Sequence, residues 1–310
     1  MPQVPETEFV WRNGKLIKWA DATIHALSHV VHYGSSVFEG IRSYATPRGP
    51  AVFRLKEHTQ RLLDSAKIYH MEVPYSLDEL MQATGQTIHA NKLGACYIRP
   101  VIFRGYGTVG VDPLGAPTEV FIFTYPWGAY LGEKSLKEGV DVMVSSWNRQ
   151  APNTLPAFAK AGGNYLNSQL MKIEARNQGF VEAIALDTRG FISEGSGENL
   201  FIIKNGVVYT PPLVAAILPG ITRDTIMQIA RAKGLQVVET DMPREMLYVA
   251  DELFFCGTAV EITPIRSVDR IAVGTGKPGP ITMDLQQTYM ATVTGGAGSK
   301  QEWLYNVGAD

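Results

Sequence analysis

The sequence predicts an α+β (mixed α/β) protein of two domains. Three observations carry that reading. Short runs with strand period and runs with helical period are mixed along the chain, with no regular βαβ alternation. Two Asn-Gly pairs sit between strand-like runs, a strong short-range hairpin signal. The chain has 310 residues, more than an average single domain, and a Pro- and Gly-containing break at 126–139 interrupts the strand pattern. Residues 1–125 read as a small N-terminal α/β domain, 126–139 as an interdomain linker, and 140–310 as a larger C-terminal domain.

The elements follow in order. Glu8–Arg12 and Lys15–Trp19 flank Asn13-Gly14 and form a hairpin. Residues 55–70 place Leu55, Leu62, Ala66 and Tyr69 on one helical stripe. Ser76-Leu-Asp-Glu79 is a capping box that opens a helix through about Lys92. Residues 97–103 and 119–125 are strands. Beyond the break, strands are predicted at 140–144, 182–187, 190–194, 199–203 and 206–210, with Asn205-Gly206 turning the last pair. Helices are predicted at 164–178 and 221–234.

Bulk properties narrow the function. The composition is 45% hydrophobic and 19% charged, and the formal net charge is −2. Such a chain supports a sizeable core and offers no basic footprint for nucleic acid. No apolar run approaches the ~20 residues that span a bilayer. The polar, acidic N-terminus does not resemble a secretory signal. Cys96 and Cys256 are distant, form no CxxC, and read as core thiols in a reducing cytoplasm. No metal site is expected.

Five groups of residues carry potential chemistry. Lys160 is the only charged residue between Arg149 and Lys172. A lysine among small and apolar residues, beside Gly162-Gly163, has the setting of a Schiff-base nucleophile; it also suits a lysine with its head in water. Leu218-Pro-Gly220-Ile221-Thr222 runs into a helix whose free N–H groups suit a phosphate, or is an ordinary helix entry. Gly257-Thr258-Ala259 ends an apolar strand with exposed donors. Glu194 and Glu198 bracket a Gly-Ser-Gly turn, either held against a protonated heteroatom or solvated. Tyr97 and Arg99 share one strand face, where a phenol and a guanidinium fork can hold a carboxylate. Together these are the groups that pyridoxal phosphate needs.

At these residues the chain closely resembles the branched-chain amino acid aminotransferases, fold-type IV pyridoxal phosphate enzymes, in their bacterial form. The motifs cover nearly the whole chain: His32-Tyr-Gly-Ser-Ser-Val-Phe38-Glu-Gly-Ile-Arg42, Glu57-His-Thr-Gln-Arg61-Leu, Tyr97-Ile-Arg99-Pro, Phe123-Thr-Tyr-Pro-Trp127-Gly-Ala-Tyr130, Ala159-Lys160-Ala-Gly-Gly-Asn-Tyr165, Ile192-Ser-Glu194-Gly-Ser-Gly-Glu-Asn199, Leu218-Pro-Gly-Ile-Thr222-Arg-Asp and Gly257-Thr258-Ala259.

The resemblance implies a two-domain architecture with pyridoxal 5'-phosphate between the domains. It implies that Lys160 forms the Schiff base and moves the proton, and that Glu194 pairs with the pyridine nitrogen. Tyr165 would bond the ring oxygen and Leu218 pack on the ring, while Arg61, Ile221, Thr222 and Thr258 hold the phosphate. Tyr33, Phe38, Gly40, Val111, Trp127, Tyr130 and Tyr165 would line the substrate pocket. Tyr97, Thr258 and Ala259 would take the α-carboxylate, and Arg99 the side-chain carboxylate of glutamate. The implied reaction moves the amino group of leucine, isoleucine or valine to 2-oxoglutarate in a homo-oligomer, a dimer at least and often a trimer of dimers. D-amino acid aminotransferases and aminodeoxychorismate lyases share the lysine and the acid. A non-catalytic module keeping the fold is the reading from another class.

Overall fold

The structure, a computed structural model, describes residues 4–128, 132–296 and 298–308. It consists of two compact units. The first comprises Met1–Trp127, Ala159–Gly163 and Thr292–Asp310; the second comprises Gly128–Phe158 and Asn164–Ala291. This division differs from a cut at the linker, because Lys160 and the C-terminal tail belong with the first unit. Backbone pairing explains why. Ala161 bridges to Val37, and the strand Leu304–Asn306 pairs with Ala51–Phe53.

The first unit is built on strands β1 (Phe9–Arg12), β2 (Lys15–Lys18), β3 (Ser36–Phe38), β4 (Ile41–Thr46), β5 (Gly49–Phe53), β6 (Cys96–Arg104) and β7 (Thr118–Tyr125). The sheet runs from the C-terminal strand through β5, β4, β6, β7 and β1 to β2, with β3 also on β6. Every pairing is antiparallel. The hairpin turns where the sequence places it, with Asn13 and Gly14 both at positive φ. Helices α1 (His29–Tyr33), α2 (Leu55–Ile68) and α3 (Leu77–Ala90) complete the unit. Leu55, Leu62 and Ala66 of α2 join Leu80, Ala83 and Ile88 of α3 in one core with Ile41, Ile98, Ile102, Val120 and Ile122. Both halves of the Ser76/Glu79 capping box are formed.

The second unit contains α4 (Glu133–Glu138), β8 (Val140–Val144), α5 (Tyr165–Asn177), β9 (Glu182–Leu186), β10 (Ile192–Gly195), β11 (Asn199–Lys204), β12 (Val207–Thr210), α6 (Ile221–Ala232), β13 (Val237–Glu239), β14 (Glu252–Gly257), β15 (Glu261–Val268), β16 (Ile271–Ala272) and, as far as Ala291, α7 (Pro280–Val293). Its sheet is ordered β10-β9-β8-β15-β14-β11-β12-β13, with β16 on β15. The sheet is mixed: β8–β9, β8–β15 and β12–β13 are parallel. Residues 126–139, predicted as loop, contain α4. Its Glu-Lys-Ser-Leu-Lys-Glu run favours helix, and Gly132 and Gly139, both at positive φ, stop it at either end. Helix α7 is absent from the sequence expectations. Its signal is a stripe at helical spacing, Leu285, Tyr289 and Val293, all buried. Glu252 caps this helix, accepting the N–H groups of Ile281 and Thr282. Among the described residues, no helix is long and apolar enough to cross a membrane, and no His/Cys/Asp/Glu cluster has the make-up of a metal site.

Candidate active site

In the first unit, Lys160 lies on a segment that runs beside β3. Phe38 N–H donates to the Lys160 carbonyl at 3.0 Å, and Lys160 N–H donates to Ser65 Oγ at 3.0 Å. The side chain is half-buried, with Nζ 5.2 Å from the centre of the Phe38 ring. The small size of Gly162 serves the chain itself, since a Cβ there would collide with Ser36 Oγ. Lys160 is isolated from charge in sequence but not in space. Its ammonium, like the Arg61 guanidinium, acts on His58.

Arg61 projects from α2 and is gripped by Glu39, a fully buried carboxylate. Arg61 Nε donates to Glu39 Oε1 at 2.6 Å and Nη2 to Oε2 at 2.8 Å. His58 Nδ1 lies 2.8 Å from Oε2. Burial alone would raise the Glu39 pKa, but Arg61 and His58 reverse this and hold the carboxyl well below its usual range. Burial pushes His58 below its ordinary value; Arg61 and Lys160 push the same way against Glu39. The pairing therefore combines an ionised acid with a fork of fixed direction. Glu39 and His58 were present in the sequence motifs, but nothing local marks them as the support of Arg61.

On β6, Tyr97 and Arg99 share a face, as the strand period predicts. Arg99 Nη2 donates to Tyr97 Oη at 3.1 Å. The Arg99 guanidinium lies 4.7 Å from the Phe38 ring centre, so Phe38 meets both Arg99 and Lys160. Gly40 is required for space: a Cβ there would collide with the Tyr97 hydroxyl. Trp127 closes this cluster, its ring 5.1 Å from Tyr97. Tyr33 and Val111 are on the surface of the chain, 44% and 87% exposed. Val111 thus makes little contact with the rest of this chain, while its loop is tethered by His29 Nε2 at Gly110 O, 3.0 Å, and by Arg104 at Pro113 O, 3.0 Å. Tyr130 lies outside the described residues.

In the second unit, Glu194 is on β10 and Glu198 just beyond the Gly-Ser-Gly turn. Neither is a solvated surface glutamate; both are buried. Arg149 Nη2 lies 2.8 Å from Glu194 Oε1. Glu194 Oε2 accepts from Asn199 Nδ2 at 3.0 Å and from the Leu218 N–H at 3.1 Å. These are the partners of an ionised carboxylate. Glu198 differs: burial first, then repulsion from Glu182, push its pKa up to about 8, against the attraction of Lys172. Arg149 bounded the charge-poor stretch around Lys160 in the sequence; its pairing with Glu194 had no sequence signal.

The Leu218–Thr222 turn enters α6 with Gly220 as N-cap and no capping side chain. Its first-turn N–H groups and the Thr222 hydroxyl form an anion-type donor set. Thr258 and Ala259 follow β14 in a half-buried turn, and β14 pairs with β11 so that Asn199 stands opposite Cys256. Tyr165 opens α5 and is half-buried. Glu194, Leu218 and the start of α6 are thus joined directly, and the Thr258 turn follows the strand paired with β11.

The family model described as amino-transferase class IV matches residues 36–268. The branched-chain-amino-acid aminotransferase of Escherichia coli (strain K12) is 54% identical over 303 residues, 97% of this chain and 98% of that protein. A crystal structure of the Escherichia coli branched-chain amino acid aminotransferase superposes with a TM-score of 0.96, covering 97% of this chain and all of that one. The branched-chain amino acid aminotransferase from Thermobaculum terrenum, solved in its PLP-form (holo-form), is 36% identical, with a TM-score of 0.91 over 98% of this chain and 99% of that one. The charged clusters around Arg61 and Glu194, the Tyr97–Arg99 strand and the uncapped start of α6 therefore stand in a fold with a known lineage, and the chain belongs to the class IV aminotransferase family.

Proposed function

We propose that the protein is a pyridoxal phosphate-dependent aminotransferase that moves the amino group of L-leucine, L-isoleucine or L-valine to 2-oxoglutarate, reversibly. The observation that carries this reading is Glu194, a buried carboxylate bonded by Arg149, Asn199 and the Leu218 N–H. An acid held ionised in this way suits a protonated pyridine nitrogen. The remaining residues fit the same group. Lys160 supplies the amine for the aldehyde, and Tyr165 a phenol for the ring oxygen. Arg61, the N–H groups at Ile221 and Thr222, and Thr258 supply phosphate donors, and Leu218 an apolar contact. When bound, the cofactor supplies an electron sink for the substrate's Cα carbanion character.

The roles of the side chains follow. Lys160 Nζ takes the proton from the substrate Cα and later returns one. Tyr97, with the Thr258–Ala259 turn, binds the α-carboxylate. Phe38, Trp127, Tyr33, Tyr130 and Val111 offer apolar and aromatic walls to a branched side chain, and Gly40 leaves room for the Tyr97 hydroxyl. Arg99 receives the side-chain carboxylate of glutamate, so one pocket serves both substrates. The high exposure of Val111 and Tyr33 in the single chain supports a homo-oligomer, a dimer at least. The free, buried thiols of Cys96 and Cys256 suit the reducing cytoplasm.

A substrate panel tests the proposal. L-leucine, L-isoleucine and L-valine should turn over rapidly with 2-oxoglutarate. Fast D-alanine and negligible L-leucine turnover would assign the D-amino acid reading instead. The purified protein should be yellow, and its absorbance band should vanish with borohydride and be missing from Lys160→Ala. A protein still colourless after incubation with pyridoxal phosphate would be a binding module only.

A further inference from the structure

Asn199 closes the Ile192–Asn199 motif, and the roles above leave it unassigned. Its amide nitrogen spends both N–H groups. One goes to Glu194 Oε2 at 3.0 Å and the other to the Leu218 carbonyl at 3.0 Å. The Leu218 N–H donates to the same Glu194 oxygen at 3.1 Å. Leu218 is therefore fixed at both its N–H and its C=O, by an acid and an amide that also bond each other. The other end of the amide faces the helix entry, where a Cβ on Gly220 would collide with Asn199 Oδ1. Gly220 has φ −69° and ψ 130°, open to any residue, so glycine stands there for space. The backbone of Asn199 is anchored in turn by the β11–β14 ladder, opposite Cys256.

We propose that Asn199 is a positioning residue that joins Glu194 and the Leu218–Thr222 turn into one rigid piece. The inference rests on Glu194 meeting the ring nitrogen and the turn meeting the phosphate. A cofactor gripped at both points needs those two groups at a constant separation. Arg149 and Asn199 divide the task. Arg149 sets a positive charge 2.8 Å from Glu194 Oε1; Asn199 supplies direction without adding charge. Only an amide meets both demands. Aspartate has the same shape, but it loses both donors and sets a second carboxylate against Glu194 and the Leu218 carbonyl. Alanine leaves the acid and the turn to move separately.

The test uses the holoenzyme with L-leucine and 2-oxoglutarate. Asn199→Ala and Asn199→Asp should each lower kcat by about 10–100-fold, the scale of a small misplacement at a reacting centre. They should also weaken pyridoxal phosphate binding to the apoprotein and shift the absorbance band of the bound cofactor. Gly220→Ala, which pushes the amide aside while leaving Glu194 and Asn199 in place chemically, should reproduce these changes. Its effect should largely disappear in the Asn199→Ala background, because both substitutions break one coupling. A lower Tm with kcat, band and cofactor affinity unchanged would make Asn199 merely structural and overturn the proposal, as would full multiplication of the two single losses. Glu194→Gln is run in parallel. If it leaves turnover intact, the role of Glu194 fails and the inference with it; if it impairs turnover while the Asn199 variants do not, the inference fails alone.

Discussion

The first unit holds a cation, Arg61, with a buried carboxylate, whereas the second holds a carboxylate, Glu194, with a buried cation. Glu39 grips Arg61 through two short bonds, and Arg149 grips Glu194 at 2.8 Å. In each case the partner fixes the direction of the group it holds. The two differ in what an anion does to them. A phosphate is a second partner for Arg61 but a repulsive neighbour for Glu194. The lesson is that a buried ion pair is read by its function as well as its energy: removing one partner leaves a charge uncompensated, which costs about 3–5 kcal/mol.

The largest expected effects break that symmetry. Glu39→Ala and Arg149→Met should each destabilise the apoprotein by about 3–5 kcal/mol, measured by urea denaturation. Saturating inorganic phosphate should recover much of the Glu39→Ala loss, because an anion replaces the missing carboxylate at Arg61. It should recover none of the Arg149→Met loss. Equal recovery, or none for either, would show that Arg61 does not bind phosphate in the way proposed.

Arg99→Ala comes next. A charge-assisted hydrogen bond contributes about 1.5–3 kcal/mol, so kcat/KM for glutamate should fall by roughly 10–100-fold while that for leucine falls much less. Equal losses would remove Arg99 from side-chain recognition.

The acids of the two units also respond to pH in opposite directions. Glu39 is held well below the ordinary value of 4.5, so its contribution to stability is present above that value and lost as pH falls toward its folded pKa. Glu198 is raised from 4.5 to about 8. Its contribution is present below 4.5 and lost as pH rises through about 8. Glu198→Gln should therefore flatten the fall in Tm between about pH 4.5 and pH 8 by a few degrees. An unchanged slope would show that Glu198 is ionised throughout. The smallest effect lies outside both clusters. Ser76→Ala removes the α3 cap, whose hydroxyl accepts the Glu79 N–H at 3.3 Å, and should cost about 1 kcal/mol with turnover unchanged.

Local sequence determined a good deal. Asn13-Gly14 and Asn205-Gly206 turn where they are expected, since both residues of each pair take positive φ. The α2 stripe and the Ser76 box depend only on neighbours three and four residues away. Lys160, Glu194, Arg61 and the helix entry at Ile221 were legible as candidates because each stands in a long motif. What tertiary structure alone decided is which charges meet. Glu39 lies 22 residues from Arg61 and 19 from His58 in sequence, and Arg149 reaches Glu194 across several intervening elements. No periodicity encodes such pairs, because their energy depends on a separation of a few ångströms and on the removal of water. The same holds for the tail strand Leu304–Asn306, which finds backbone partners on β5 and forms the sheet's edge, and for Lys160, which the pairing of Ala161 with Val37 assigns to the first unit.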